Sequence, residues 1–371
     1  MGRYSLARLI QTSEDETVRP SRYPASEVLC PRGAVRSGRS GSAEHFRALE
    51  IETTPSSRSP ARDSFEPAGC LLGMHRALVS TLLVVGLALG ARLTAAAGGL
   101  TLATYNLENY TLADRLVEDV YRQDYPKPEA EKAALRRVLH QLDADVLALQ
   151  EVGGEPFLTE LRRDLRSEGL DYPYASVLNG ADPDRKIAVI SKRPFTQVTH
   201  HAELTFKYFA ATARVKRGLL EVRLNSAGGE VTVFVAHLKS RFTERADDPA
   251  SALQRSGEAV AIRDRILTRF PQPAGAAFLI VGDFNEGRTS RPLKALLTRG
   301  QTTLTEWLPA ADGRGHVWSH FYRREDSYSR VDHILVSPGL RPRVRTGLGR
   351  IHDSPEVGLA SDHRPLVVEI D

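Results

Sequence analysis

The stretch 277–287, AFLIVGDFNEG, runs five apolar residues up to Gly282 and then sets Asp283, Asn285 and Glu286 at the mouth of what reads as a buried strand. The pattern recurs along the chain. The runs LTLATYN, DVLALQE and EVTVFVAH end at Asn106, Glu151 and His237, SRVDHILVS carries Asp332 ahead of its apolar part, and SDHR (361–364) precedes the last run, PLVVEI. A buried polar group left without partners costs about 1–3 kcal/mol. A chain with six such strand ends must therefore gather them or leave them at a wet edge. Side chains alternate along a strand, so Asp283 and Asn285 share one face, as do His237 and Lys239. A fold that aligns these ends makes one pocket of them.

Helical periodicity falls between the strands. After the first strand comes a loop containing Pro126 and Pro128, then a helix over 129–142 with Leu135, Val138, Leu139 and Leu142 on one face. Phe157, Leu158, Leu161 and Leu165 mark a second amphipathic helix, and further helices fit 250–270 and 291–299. Shorter strands read at 186–191, 219–225 and 230–237, the latter two joined by a SAGG turn. No repeat or linker interrupts 100–371, which predicts one domain. β-branched sheets, partly hairpin-connected, with helices on their outer faces predict an α/β sandwich. No glycine-rich loop follows the first strand, which argues against a doubly wound dinucleotide fold.

The first 97 residues differ in kind. Residues 1–73 are rich in Ser, Arg and Pro and lack periodicity, the composition of a disordered or mis-started extension. From Met74 the chain reads as a signal peptide over 74–97: His75 and Arg76, an apolar run over 77–90, then Ala95-Ala96-Ala97. That run is shorter than the roughly 20 residues a membrane span requires. The expectation is translation from Met74, export to the periplasm or medium, and no stable membrane insertion of the remaining 98–371, read as a monomer. Residues 98–371 hold 38 Lys and Arg against 37 Asp and Glu, so the domain does not coat polyanions by bulk charge. Both cysteines, Cys30 and Cys70, lie outside it, which excludes a disulfide framework, a Cys-based zinc site and a thiol nucleophile there.

Carboxylates and amides without thiols are hard oxygen ligands suited to Mg²⁺, Mn²⁺ or Ca²⁺. Asp362 beside His363 offers an imidazole a carboxylate, and His237 offers a donor to an anionic oxygen. Acid, base and hard cation together point to metal-assisted hydrolysis, with phosphoryl transfer the natural reaction.

The ordered motifs TYNLEN, LALQEV, VAHLKS, IVGDFNEG, YSRVDHILVS and SDHRPLVV, spanning 104–368, resemble the endonuclease/exonuclease/phosphatase family, which includes DNase I, exonuclease III type AP endonucleases, inositol polyphosphate 5-phosphatases and neutral sphingomyelinases. The bacterial secreted nuclease-like branch is the nearest in pattern. The resemblance implies a four-layer α/β sandwich, two packed mixed sheets flanked by helices, with the site at their shared edge. It implies that Glu151 is the principal metal ligand, helped by Asn106, with Glu108 at a second metal position. His363 would be the base or a charge-stabilising histidine facing the scissile phosphate, and Asp332 and Asp362 would support it or a second metal position. Asp283 would position or deprotonate the attacking water, Asn285 would bind a phosphate oxygen, and His237 would contact the phosphate or assist the leaving group. Lys239 would lie on the substrate side. In the loop 319–330, Tyr322, Arg323, Arg324 and Tyr328 would clamp phosphate or stack a base, or else form a solvated hairpin.

The function so implied is an exported, divalent-metal-dependent phosphodiesterase or nuclease whose substrate is a phosphoester, nucleic acid included. The alternatives are a phosphatase or phospholipid-type phosphodiesterase acting on a small or lipid ester, and a catalytically inactive binding module. No apolar hairpin that would grip a bilayer is read after residue 100, which disfavours the lipid branch.

Overall fold

The computed structural model describes residues 98–243 and 245–371. The extension, the signal peptide and the start at Met74 lie outside the described residues. Two mixed sheets pack face to face. The first has seven strands in the order Ala310–Ala311, Gly349–Ile351, Leu366–Ile370, Leu100–Tyr110, Val146–Val152, Lys186–Ser191, Tyr174–Leu178. The second has six: Glu306–Trp307, Asp332–Val336, Phe278–Asp283, Gly229–His237, Leu219–Ser226, Gln197–His201. At the centre of each sheet one parallel pair, Leu100–Tyr110 with Val146–Val152 and Gly229–His237 with Phe278–Asp283, is flanked by antiparallel neighbours.

Alternation decides what each face carries. Leu100, Leu102, Val146, Ala148, Val233, Val235, Leu279, Val281, Ile334 and Val336 fill the layer between the sheets. Ala103, Tyr105, Leu107, Leu147 and Leu149 face the other way, onto helices Glu129–Leu142 and Glu155–Ser167. Phe234, Ala236, Phe278, Ile280 and Leu335 pack under helices Ala252–Arg269 and Arg291–Leu297. The result is the four-layer α/β sandwich that the motifs implied. Continuing the inner-face parity past the last apolar residue of each strand gives Asn106, His237, Asp283 and Asp332, so the packing that buries valines also points four polar side chains into the gap between the sheets.

The loop expected after the first strand is different. The strand continues to Tyr110, and 112–126 form a hairpin, Leu112–Val117 with Val120–Pro126. Its turn, Glu118–Asp119, takes left-handed φ values of 51° and 61° without glycine. The expectation of no apolar hairpin is overturned: Leu116 and Tyr121 pair across it and are 71% and 62% exposed.

Candidate functional site

The site lies where the inner-face strand ends of both sheets meet. Across the second sheet His237 pairs with Asp283 and Asp283 with Asp332 in register, which sets three polar groups side by side. From the first sheet Asn106 reaches over and its Nδ2 donates to Asp283 Oδ2 at 3.1 Å. His363, on the segment before the last strand, completes the cluster. Its Nδ1 meets Asp332 Oδ2 at 2.8 Å and its Nε2 lies 3.8 Å from Asp283 Oδ2. Ser319 Oγ also donates to Asp332 Oδ2, at 2.8 Å, fixing that carboxylate on the imidazole.

Two departures from regular strand geometry place the rest. Glu151, by parity, belongs with Leu147 and Leu149 in the outer apolar core. Instead the pairing slips between Gln150 and Val152 against both neighbouring strands, and Glu151 adopts φ 64°. The bulge turns its carboxylate inward, where Oε2 accepts from Asn109 N at 2.9 Å and Oε1 lies 3.9 Å from His237 Nε2. Gly282, at φ 140°, brings the Asp283 strand so close to its neighbour that a Cβ there would stand 1.9 Å from Ala236 O. Only glycine fits.

The electrostatics follow from burial and proximity. Burial pushes the Asp283 carboxyl up, His363 draws it back, and Asp332 and Glu151 raise it again, to about 7. Burial works against a charged His363, yet Asp332, Asp283 and Asp362 hold its pKa well above the ordinary histidine value. His237 is pushed well down by burial and by the nearby Arg217 and His363, so it is neutral, and its buried Nδ1 has no hydrogen-bond partner among the described residues. Two histidines in one pocket are thus held in opposite protonation states. Burial and the charge of Asp362 raise Glu108, with Lys127 opposing. Glu108 Oε2 accepts from Asp362 N at 3.0 Å.

This donor set fits a hard divalent cation. Glu151, Glu108 and Asp362 offer carboxylate oxygens, and like charge raises Asp283 and Glu108, an imbalance a divalent cation would offset. Side-chain geometry groups Asp283, Asp332 and His363, and separately His320, Asp362 and His363, within ligating range. Asp332 Oδ2 is already engaged by His363 and Ser319, and neither group includes Glu151, Asn106 or Glu108.

Some expected roles move. Asn285 does not stay on the strand: Phe278–Asp283 ends before it, and at φ 53° it turns back so that Nδ2 donates to Leu238 O at 3.1 Å and Asp283 Oδ2 at 3.2 Å. Its amide donors hold Asp283 and leave none for a phosphate oxygen. Lys239 leaves the face of His237 because that strand ends there, and its ammonium is engaged by Ser240 and by Phe242 O. Asp362 does not orient His363; its Oδ2 lies 3.6 Å from His320 Nε2, a bond and charge that, with His363, lower its pKa despite burial.

The hairpin of His320–Tyr322 with Ser327–Ser329 has two faces. Tyr328 stacks on Phe321 and packs edge-on to Trp318, and these rings with Arg323, which is tied to Gly358 O at 2.9 Å, line a depression of about 250 Å³ that also takes in Asp362 and His363. Arg324 is exposed at its tip. The other face carries His320 and Tyr322, which with Arg241, Phe242, Asn285 and Asp362 line a depression of about 560 Å³ beside the site. His320, its ring 4.6 Å from that of His363, was missed by sequence reasoning. Its parity with Tyr322 in HVWSHFY was the available signal.

Fold and site together define a hydrolase of phosphoesters. The chain belongs to the Endonuclease/Exonuclease/phosphatase family, whose model matches residues 103–363. Its fold is similar to that of a beta toxin from Staphylococcus aureus (17% identity over 73% of this chain and 100% of that one, TM-score 0.54). It is also similar to sphingomyelinase C from Streptomyces griseocarneus (18% identity, 74% and 99%, TM-score 0.51). A beta toxin mutant from the first organism, solved with bound magnesium ions, superposes comparably (16% identity, 74% and 100%, TM-score 0.52). Compared by sequence with curated proteins, the chain matches none.

Proposed function

We propose that this protein is an exported, divalent-metal-dependent phosphodiesterase in which residues 98–371 form the catalytic domain. The observation that carries the reading is the convergence of Asp283 and His363: His363 Nε2 lies 3.8 Å from Asp283 Oδ2 while its Nδ1 meets Asp332 Oδ2 at 2.8 Å. Near neutrality Asp283, with its pKa about 7, is partly ionised and able to take a proton from water. His363, kept cationic by Asp332, donates to a nonbridging phosphoryl oxygen as charge gathers there. Neutral His237, with Nε2 3.5 Å from Asp283 Oδ2, would contact the phosphate or assist the leaving group. A divalent cation held by Glu151, Asn106 and Glu108, magnesium being the first choice for such oxygen donors, would polarise the phosphoryl group. Among the described residues no helix is long and apolar enough to cross a membrane.

The test uses the full chain with Mg²⁺, Mn²⁺ or Ca²⁺ on bis-p-nitrophenyl phosphate, plasmid DNA, RNA, inositol phosphates and sphingomyelin. Hydrolysis of a diester, lost with EDTA and in His363→Ala, is the expected result; no turnover of any substrate refutes it. One observation favours a membrane-borne ester as second reading: the exposed Leu116–Tyr121 pair. Against it stands the acidic Glu118–Asp119 turn at the tip, which would have to enter the headgroup layer first. Sedimentation with sphingomyelin vesicles, abolished by Leu116→Ser with Tyr121→Ser, would establish it.

A further inference from the structure

A groove of about 680 Å³ lies between the hairpin Thr205–Tyr208 with Ala211–Arg214 and the helices Ala252–Arg269 and Arg291–Leu297. Its floor is the Phe206 ring, seated on Gly257 so closely that a Cβ there would stand 2.1 Å from the ring. Its rim carries Lys207, Arg263, Arg291 and Lys294, and no carboxylate lines it. Arg263 is neutralised by Asp264 at 2.8 Å. Lys207, Arg291 and Lys294 are exposed and make no ion pair among the described residues. On a domain whose charges otherwise cancel, this is a local concentration of unpaired positive charge over an aromatic floor.

One end of the groove contacts Arg245. Phe209, 40% exposed at the hairpin turn with φ 52°, lies 4.5 Å under the Arg245 guanidinium. Arg245, itself paired with Asp247, sits four residues after Arg241, which lines the depression beside Asn285 and Asp362. Four residues of extended chain span at most about 14 Å, so Arg241 and Arg245 lie within that reach of each other.

We infer that the groove is a second binding track for single-stranded nucleic acid whose scissile phosphodiester lies at Asp283 and His363. Bases enter against Phe206 and Phe209, and successive phosphates meet Lys207, Arg291 and Lys294. A planar bilayer would reach the rim but not the buried floor. The inference rests on the phosphodiesterase reading above and names its substrate class.

The test measures binding of a fluorescent thymidine oligonucleotide to the full chain in EDTA, where cleavage is suppressed, across a salt series. Turnover of bis-p-nitrophenyl phosphate with Mg²⁺ is measured in parallel. Each phosphate contact on a single strand contributes about 0.7 to the slope of log affinity against log salt. The triple variant Lys207→Gln, Arg291→Gln, Lys294→Gln should lower that slope by about 2 and weaken binding at least about tenfold at low salt. Phe209→Ala should weaken it about fivefold with the slope unchanged. Both variants should keep diester turnover and an unchanged thermal melt. Failure of the wild type to bind the oligonucleotide, equal slopes in wild type and triple variant, or loss of anionic-vesicle binding alone would overturn the inference. Diester turnover with unaltered oligonucleotide binding removes the groove and leaves the hydrolase; the expected binding pattern without any turnover does the reverse.

Discussion

Asp283 gives the sharpest quantitative expectation. The side chain is 2% exposed, and its carboxyl rises from 3.8 to about 7 because burial, opposed by His363 and reinforced by Asp332 and Glu151, disfavours its charge. Between those pH values the folded protein keeps a proton that the unfolded chain has released. The stability this proton contributes is fully present below about pH 3.8 and is lost as pH rises through 7. A shift of about three units at about 1.36 kcal/mol each is about 4 kcal/mol. Asn at position 283 cannot titrate. It also sacrifices one of the hydrogen bonds from Asn106 and Asn285, but that loss is the same at every pH. Urea unfolding of wild type and Asp283→Asn in EDTA at a series of pH values therefore isolates the effect as a change in their difference. The variant should gain about 4 kcal/mol relative to wild type between pH 4 and pH 7.5. A difference that stays within about 1 kcal/mol of constant over that window would refute a buried, proton-retaining carboxyl.

Three other outcomes follow from the geometry. Asp332→Asn removes the carboxylate that holds His363 cationic, so diester turnover should fall by about 10³–10⁴ and the alkaline limb of the pH–rate profile should move to lower pH, read by steady-state kinetics. Gly282→Ala forces a Cβ into Ala236 O and should destabilise by about 3 kcal/mol or more in urea, whereas Gly287→Ala, with open space around it, should lie within about 1 kcal/mol of wild type. Saturating Mg²⁺ should raise the melting temperature, by an amount equivalent to about 2.7 kcal/mol at a hundredfold excess over its dissociation constant, and Glu151→Gln should remove most of that rise.

The inner-face residues were legible because strand period is unambiguous when apolar runs are long. Asn106, His237, Asp283 and Asp332 follow the parity of Leu102, Val235, Val281 and Ile334, and pairing register then sets them side by side. Parity misplaces Glu151: its inward turn depends on a bulge, and the left-handed φ that makes it is adopted by a glutamate, a residue with no such preference. Asn285 ended beside Asp283 as alternation suggested, but through a left-handed turn, and that route consumed the donors meant for substrate. The hairpin 112–126 was read as a loop because Glu118–Asp119 carries none of the glycine that usually signals so tight a turn. Asp362 and Asp332 were both read as supports of His363, and the sequence does not say which of them meets the ring in a hydrogen bond. Neighbouring residues at a strand entrance diverge, and the carboxylate that reaches the ring comes from the sheet 31 residues earlier.

The hydrogen bond from Asn106 to Asp283 joins residues 177 apart, Ser361 Oγ reaches Asn106 O across 255, and Asp362 N reaches Glu108 across 254. The first link crosses between the sheets and the other two tie the chain's end to its first strand, and such distant contacts form late because loop closure precedes any gain from them. A chain still being synthesised can build most of the first sheet and all of the second sheet's parallel pair yet own no acid, since His363 has not emerged. Competence arrives with the last segment, so recovery of activity during refolding should lag strand formation and time the docking of the two sheets.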